Sequence, residues 1–185
     1  MSEMFRLALL ASGNGTNALS IIQNLPSNLK VEFVLSDQAE AAVLKKAADL
    51  GVRTYLVEKK STKAAHENEI LKLMKEHHVD WICLAGYMRI LSGEFLAEFS
   101  RWHGGQDQVV NIHPSALPAY PGVESIKRAF DDRVEESGVT LHFVDPGVDT
   151  GKIVLQKKVP LSNDEDFHSL RAGFTPPNTK FIKCF

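Results

Sequence analysis

The feature that most constrains this chain is a repeated exchange of two hydrophobic periods, in which short apolar runs alternate with longer amphipathic stretches. The runs Phe5 to Ala11, Val31 to Leu35, Arg53 to Val57 and Trp81 to Leu84 read as strands. Between them, Asn17 to Gln23 opens behind a glycine turn and Ala39 to Leu50 ends at Gly51 as a helix C-cap would. Lys63 to His78 sets Ile70, Leu71 and Met74 on one helical face, with His77 and His78 placed to complement the helix dipole. Strands this apolar are buried on both faces, and helices of this length make parallel crossovers. The expectation is an α/β fold, a Rossmann-like, mostly parallel sheet with helices on both faces.

Further along, Ser92 to Phe99 reads as a short helix, Arg101 to Gln108 as a polar loop, and Val109 to His113 as a strand stopped by Pro114. A proline-rich connection runs to Pro121, and a helix follows from Glu124 to about Asp132. The runs Gly138 to Val144 and Ile153 to Val159 flank the turn Asp145 to Gly151 and suit an antiparallel edge near the C-terminus. The chain has 185 residues, one domain's length, with 21 Lys and Arg against 23 Asp and Glu. That balance argues against a broad nucleic-acid-binding surface and for small-molecule partners. Its two cysteines form no paired motif, which fits a reducing cytoplasm, and Trp81 to Met88 falls far short of the roughly 18 apolar residues that cross a bilayer. The expectation is a cytoplasmic protein without nucleic-acid or membrane partners; no stripe identifies an oligomer interface.

Two motifs carry chemistry. Gly13-Asn14-Gly15-Thr16-Asn17 follows the first strand and opens the first helix, where backbone N–H groups and the helix dipole favour an anion. It matches neither the dinucleotide fingerprint nor the P-loop, so a phosphate monoester suits it better than a dinucleotide. Two glycines also make an ordinary βα turn with Thr16 or Asn17 as helix cap, and the loop alone does not choose between the two. Asn111 and His113 lie two residues apart at a strand's end and project from the same face, where ligands sit in parallel α/β sheets. An amide donates to a developing oxyanion, and an imidazole moves protons near neutral pH. Asp149, returned by its turn, would hold that imidazole's tautomer and raise its pKa. Ordinary turn chemistry and a satisfied strand-end histidine explain the same residues, and His142 reads either as support beneath the pocket or as a proton donor. The seven histidines show no metal-ligand spacing, so no metal is expected. Ser115 has no nucleophile elbow around it.

Taken in order, Ser12 to Asn17, Leu84-Ala-Gly-Tyr-Met-Arg-Ile-Leu91, Asn111-Ile-His-Pro-Ser-Ala-Leu-Pro-Ala-Tyr-Pro-Gly122, and Ser137 to Asp145 with Asp149-Thr-Gly151 resemble the phosphoribosylglycinamide formyltransferases of the folate-dependent formyltransferase family. The resemblance covers roughly residues 5 to 170. It implies transfer of a formyl group from 10-formyltetrahydrofolate, as co-substrate, to the amine of glycinamide ribonucleotide in de novo purine synthesis. By the same resemblance Asn111 stabilises the oxyanion, and His113, oriented by Asp149, assists that stabilisation and transfers the proton. Gly13, Asn14, Gly15, Thr16 and Asn17 take the ribonucleotide phosphate. Met88, Arg89, Ile90 and Leu91 border the folate together with Asn111, and Val144 and the loop from Asp145 accept the pterin. Lys63 stands where relatives often carry Arg. The resemblance implies one catalytic domain over residues 1–170, and a chain of this length leaves no room for a further C-terminal domain. Residues 171–185 depart from it, since Gly173 and Pro176-Pro177 break any helical period and no acidic residue stands ready for the acceptor amine. That departure keeps two alternatives in view: formylation of another amine, and a folate- or nucleotide-binding variant.

Overall fold

Along β1 (Phe5–Leu10) successive side chains alternate between two separate cores, and the rest of the sheet follows that alternation. Leu7 and Leu9 join Ala18, Ile21, Val43 and Ala47 on one side, while Ala8 and Leu10 join Ile70, Met74, Phe95 and Phe99 on the other. All are buried, and each such Leu or Ile contributes about 1.5–3 kcal/mol of apolar transfer. The computed structural model describes residues 4–161. After β1 come α1 (Thr16–Gln23), β2 (Leu29–Ser36), α2 (Ala42–Asp49), β3 (Arg53–Leu56), α3 (Lys63–Glu76) and β4 (Trp81–Leu84). Then follow α4 (Gly93–Trp102), β5 (Val109–His113), α5 (Ser125–Asp131), β6 (Glu136–Phe143) and β7 (Ile153–Pro160).

The strands form one sheet in the order β3-β2-β1-β4-β5-β6-β7. Strands β1 to β5 pair in parallel, and β6 and β7 are antiparallel, as expected. Residues of α1, α2 and α5 pack on one face and those of α3 and α4 on the other. Leu7 pairs with Val31 but Ala8 with Phe33, so Glu32 is an extra residue that resets the phase of β2. Because β2 and β4 flank β1, the crossovers run in opposite directions from it. The loops leaving the carboxyl ends of β1 and β4 therefore face each other, with Ser12 N–H donating to the Gly86 carbonyl at 3.0 Å.

Three sequence expectations shift. Helix α2 begins at Ala42 rather than Ala39, because Asp37 and Gln38 are bound into side-chain hydrogen bonds instead of a helical turn. Helix α4 runs on to Trp102, since Trp102 packs beside Phe99 and its Nε1–H donates to Glu98 one turn earlier. His77 does not serve as a charged dipole partner. Its Nδ1 accepts from Arg53 Nη1 at 3.0 Å and its Nε2 meets Tyr55 OH at 2.7 Å, an arrangement that calls for a neutral ring. Among the described residues no helix is long and apolar enough to cross a membrane. The tail at 171–185 lies outside the described residues.

Candidate active site

Strand β5 ends with Asn111 and His113 on one side and Ile112 in the core on the other. Antiparallel pairing sets His142 of β6 opposite Asn111. Asp149 arrives from the β6–β7 turn, which Asp145 organises by accepting Gly147 N–H at 3.1 Å and Thr150 Oγ1–H at 2.7 Å. The turn closes on Gly151, where a Cβ would lie 1.8 Å from the Phe143 carbonyl oxygen. Asp149 itself sits at φ 54, left-handed backbone that Asp and Asn accept more readily than most residues.

The three predicted residues meet. Asp149 Oδ2 lies 3.2 Å from His113 Nδ1 and accepts Gly122 N–H at 2.7 Å, while Oδ1 accepts Asn111 Nδ2 at 3.0 Å. His142 Nε2 stands 3.2 Å from Asn111 Nδ2 and 3.4 Å from Asp149 Oδ1, and its Nδ1 faces the Phe143 carbonyl at 2.8 Å. At Nε2 the His142 ring accepts from the Asn111 amide when that nitrogen is unprotonated and donates to Asp149 when it carries a proton. Burial pushes the Asp149 carboxyl up, but hydrogen bonds from His142 and Gly122 and the charges of both histidines bring it to about 2. His113 differs from expectation. Burial depresses it, and although the Tyr120 carbonyl and the Asp149 charge pull upward, its pKa stays below the ordinary histidine value.

Both ring nitrogens of His113 face acceptors, since Nε2 lies 2.9 Å from the Tyr120 carbonyl. Asn111 likewise has both amide protons engaged, so contact with a reacting molecule requires exchange of one partner at each residue. The Tyr120 carbonyl and Gly122 N–H were not legible as site groups, because main-chain atoms carry no residue signature; Pro121-Gly122 signals only a turn. Ser115 Oγ–H donates to the Ala119 carbonyl at 2.6 Å, and burial pushes the Cys83 thiol up to about 12, so neither is a poised nucleophile. Among the described residues no group of three or more His, Cys, Asp or Glu is gathered as for a metal ion.

The glycine loop caps α1 with Gly15 at φ 73, not with Thr16 or Asn17. No side chain caps this helix start and no acidic residue occupies its first turn, which leaves main-chain donors for an anion. Val43 N–H donates to the Gly13 carbonyl at 3.1 Å and Lys46 Nζ to that of Asn14 at 3.2 Å. Of the residues expected to border a folate, Lys63, Met88, Arg89, Ile90 and Leu91 all line one cavity of about 360 Å³. Met88 and Ile90 are 71% and 55% exposed, apolar surface suited to a flat ring system, and Val123 and Val148 are exposed too. Leu91 is buried in the core, and Arg89 Nε is bound to Asp37. Lys63 Nζ lies 3.9 Å from Glu67. Asn111, Val144 and Asp145 do not line that cavity; Val144 N–H is taken by the Val109 carbonyl and the Asp145 side chain by its own turn.

An amide, an imidazole and a carboxylate gathered at a strand's carboxyl end are groups able to stabilise a developing negative charge and to move a proton. The chain belongs to the formyl transferase family, whose model matches residues 5–183. A phosphoribosylglycinamide formyltransferase of Bacillus subtilis is 34% identical over 172 residues, covering 90% of this chain and 85% of that protein. The trifunctional purine biosynthetic protein adenosine-3 of Drosophila melanogaster is 38% identical across 89% of this chain, which spans 12% of its length. Among solved structures, the phosphoribosylglycinamide formyltransferase of Streptococcus pneumoniae superposes with a TM-score of 0.82 at 41% identity, over 92% of this chain and 91% of that one. The glycinamide ribonucleotide transformylase of Geobacillus kaustophilus gives 0.84 at 37% identity, over 94% and 92%.

Proposed function

We propose that this protein transfers a formyl group from 10-formyltetrahydrofolate to the amine of glycinamide ribonucleotide, as a cytoplasmic enzyme of purine synthesis acting on small molecules. One observation carries the reading: Asn111, His113 and Asp149 converge within 3.2 Å in a chain whose family relatives are named for this reaction. The folate, when bound, supplies a formyl group attached to a nitrogen that can leave. A C–N bond to the acceptor amine forms, and the one to the folate nitrogen breaks.

His113, released from the Tyr120 carbonyl, takes the proton shed by the attacking amine and returns it to the departing nitrogen. Asp149, ionised at neutral pH, orients the ring and balances its transient charge. Asn111 exchanges its 3.2 Å partner His142, the longer of its two hydrogen bonds, for the oxygen on which charge develops. The Gly13 to Asn17 amides hold the phosphate, and Lys63 with Met88 to Leu91 borders the folate. The test is a two-substrate assay on the purified protein. Tetrahydrofolate should appear only when glycinamide ribonucleotide is present; turnover with an amino sugar nucleotide alone would transfer the assignment to another amine, and binding of both ligands without product would leave a binding protein.

A further inference from the structure

Asp37 follows β2 directly and belongs to none of the groups described at the reacting centre, yet its side chain is only 2% exposed. A carboxylate that deep is rare unless fully partnered. Here Oδ1 accepts Ser12 Oγ–H at 2.6 Å, and Oδ2 accepts Arg89 Nε–H and Gln38 Nε2–H, each at 2.8 Å. Burial pushes this carboxyl up, but those hydrogen bonds and the Arg89 charge outweigh it and hold the group below the ordinary carboxylate range. Ser12 Oγ in turn accepts Met88 N–H at 2.9 Å. One buried charge thus secures the main chain of Met88 and the side chain of Arg89.

We propose that Asp37 is a positioning residue for the folate-side segment Met88 to Leu91, acting through Ser12 Oγ and Arg89 Nε. The inference rests on the formyl-transfer reading above. Packing does not hold Met88 or Ile90, both more than half exposed, and the segment lies between β4 and α4 outside any helix or strand. A ligand that had to order this segment on arrival would lose affinity to the entropy of doing so; the Asp37 tether orders it beforehand. Beyond Ser12 the glycine loop has its own supports in Val43 N–H and Lys46, so loss of the Asp37 charge falls chiefly on the folate side.

Asp37→Asn is the informative substitution, because its oxygen still accepts from Ser12 while its NH2 group confronts the Arg89 and Gln38 donors. Calorimetry with tetrahydrofolate should show affinity weakened about 10-fold to 100-fold, the span of a charged hydrogen bond, with glycinamide ribonucleotide affinity unchanged. Arg89→Met should weaken folate binding as well, and adding Asp37→Asn to it should cost less than it does in the wild-type background, a coupling that general destabilisation does not produce. Amide exchange at Met88 should quicken in Asp37→Asn. Equal loss of both ligands, additive effects of the two substitutions, or unchanged folate binding in Asp37→Asn overturns the tether alone. A wild-type protein that binds no folate overturns the function reading and this inference with it.

Discussion

Replacing Asp149 with asparagine removes one charge while keeping a side chain that tolerates the left-handed backbone at φ 54. The carboxylate is 11% exposed and faces Asn111, Gly122, His113 and His142 at 3.0, 2.7, 3.2 and 3.4 Å. Either orientation of an asparagine amide presents its NH2 group to the Asn111 or the Gly122 donor. The Asp149 pKa lies at about 2 against an ordinary 3.8, which corresponds to about 2 kcal/mol of folding stability. Because the folded value is depressed, that stability is complete above pH 4 or so and is lost as pH falls through about 2. Asp149→Asn should therefore melt about 4–8 °C lower at pH 7, with the gap closing toward pH 2. The Asp149 charge also pulls the His113 pKa upward, so its loss moves the activity limb governed by His113 to lower pH. Thermal melts across pH and a pH–rate profile check both effects. A variant with the wild-type limb and the wild-type pH dependence of melting would refute the assignment of Asp149's charge to orienting His113.

Asn111→Ala and His113→Ala should each lower kcat by about 100-fold to 1,000-fold with little change in folate affinity, because their contacts strengthen as charge develops; steady-state kinetics beside calorimetry shows the split. At the glycine loop the two glycines should behave differently. A Cβ at Gly13 meets nothing within 4 Å, so Gly13→Ala should raise the nucleotide KM in a folded protein, whereas a Cβ at Gly15 would stand 2.1 Å from Val43 Cγ2 at φ 73, so Gly15→Ala should lower the melting temperature first. Cys83, fully buried with its thiol raised to about 12, should stay unreactive toward a thiol reagent at pH 8 until denaturant is added.

The sequence by itself determined the sheet and part of the site, because hydrophobic period and strand phase are local properties. Val109 to His113 is a strand with Asn111 and His113 on one face whatever surrounds it, and the glycines after β1 mark a turn into a helix without any tertiary knowledge. Local pattern also placed the antiparallel pair β6 and β7 around the Asp145 to Gly151 turn. Only the tertiary structure decided which groups those residues meet. His142 faces Asn111 through strand register, and Asp149, 38 positions away, reaches the same amide through the path of a turn. Tyr120 and Gly122 contribute main-chain atoms, which every residue possesses and no sequence pattern distinguishes. Asp37 joins Ser12 and Arg89 from three separate loops because β2 and β4 flank β1, and a side chain at Gly15 is disfavoured because Val43 of α2 packs where its Cβ would be. Contacts of this kind depend on strand order, register and loop path together, so the residue types alone could nominate the actors but not their partners or protonation.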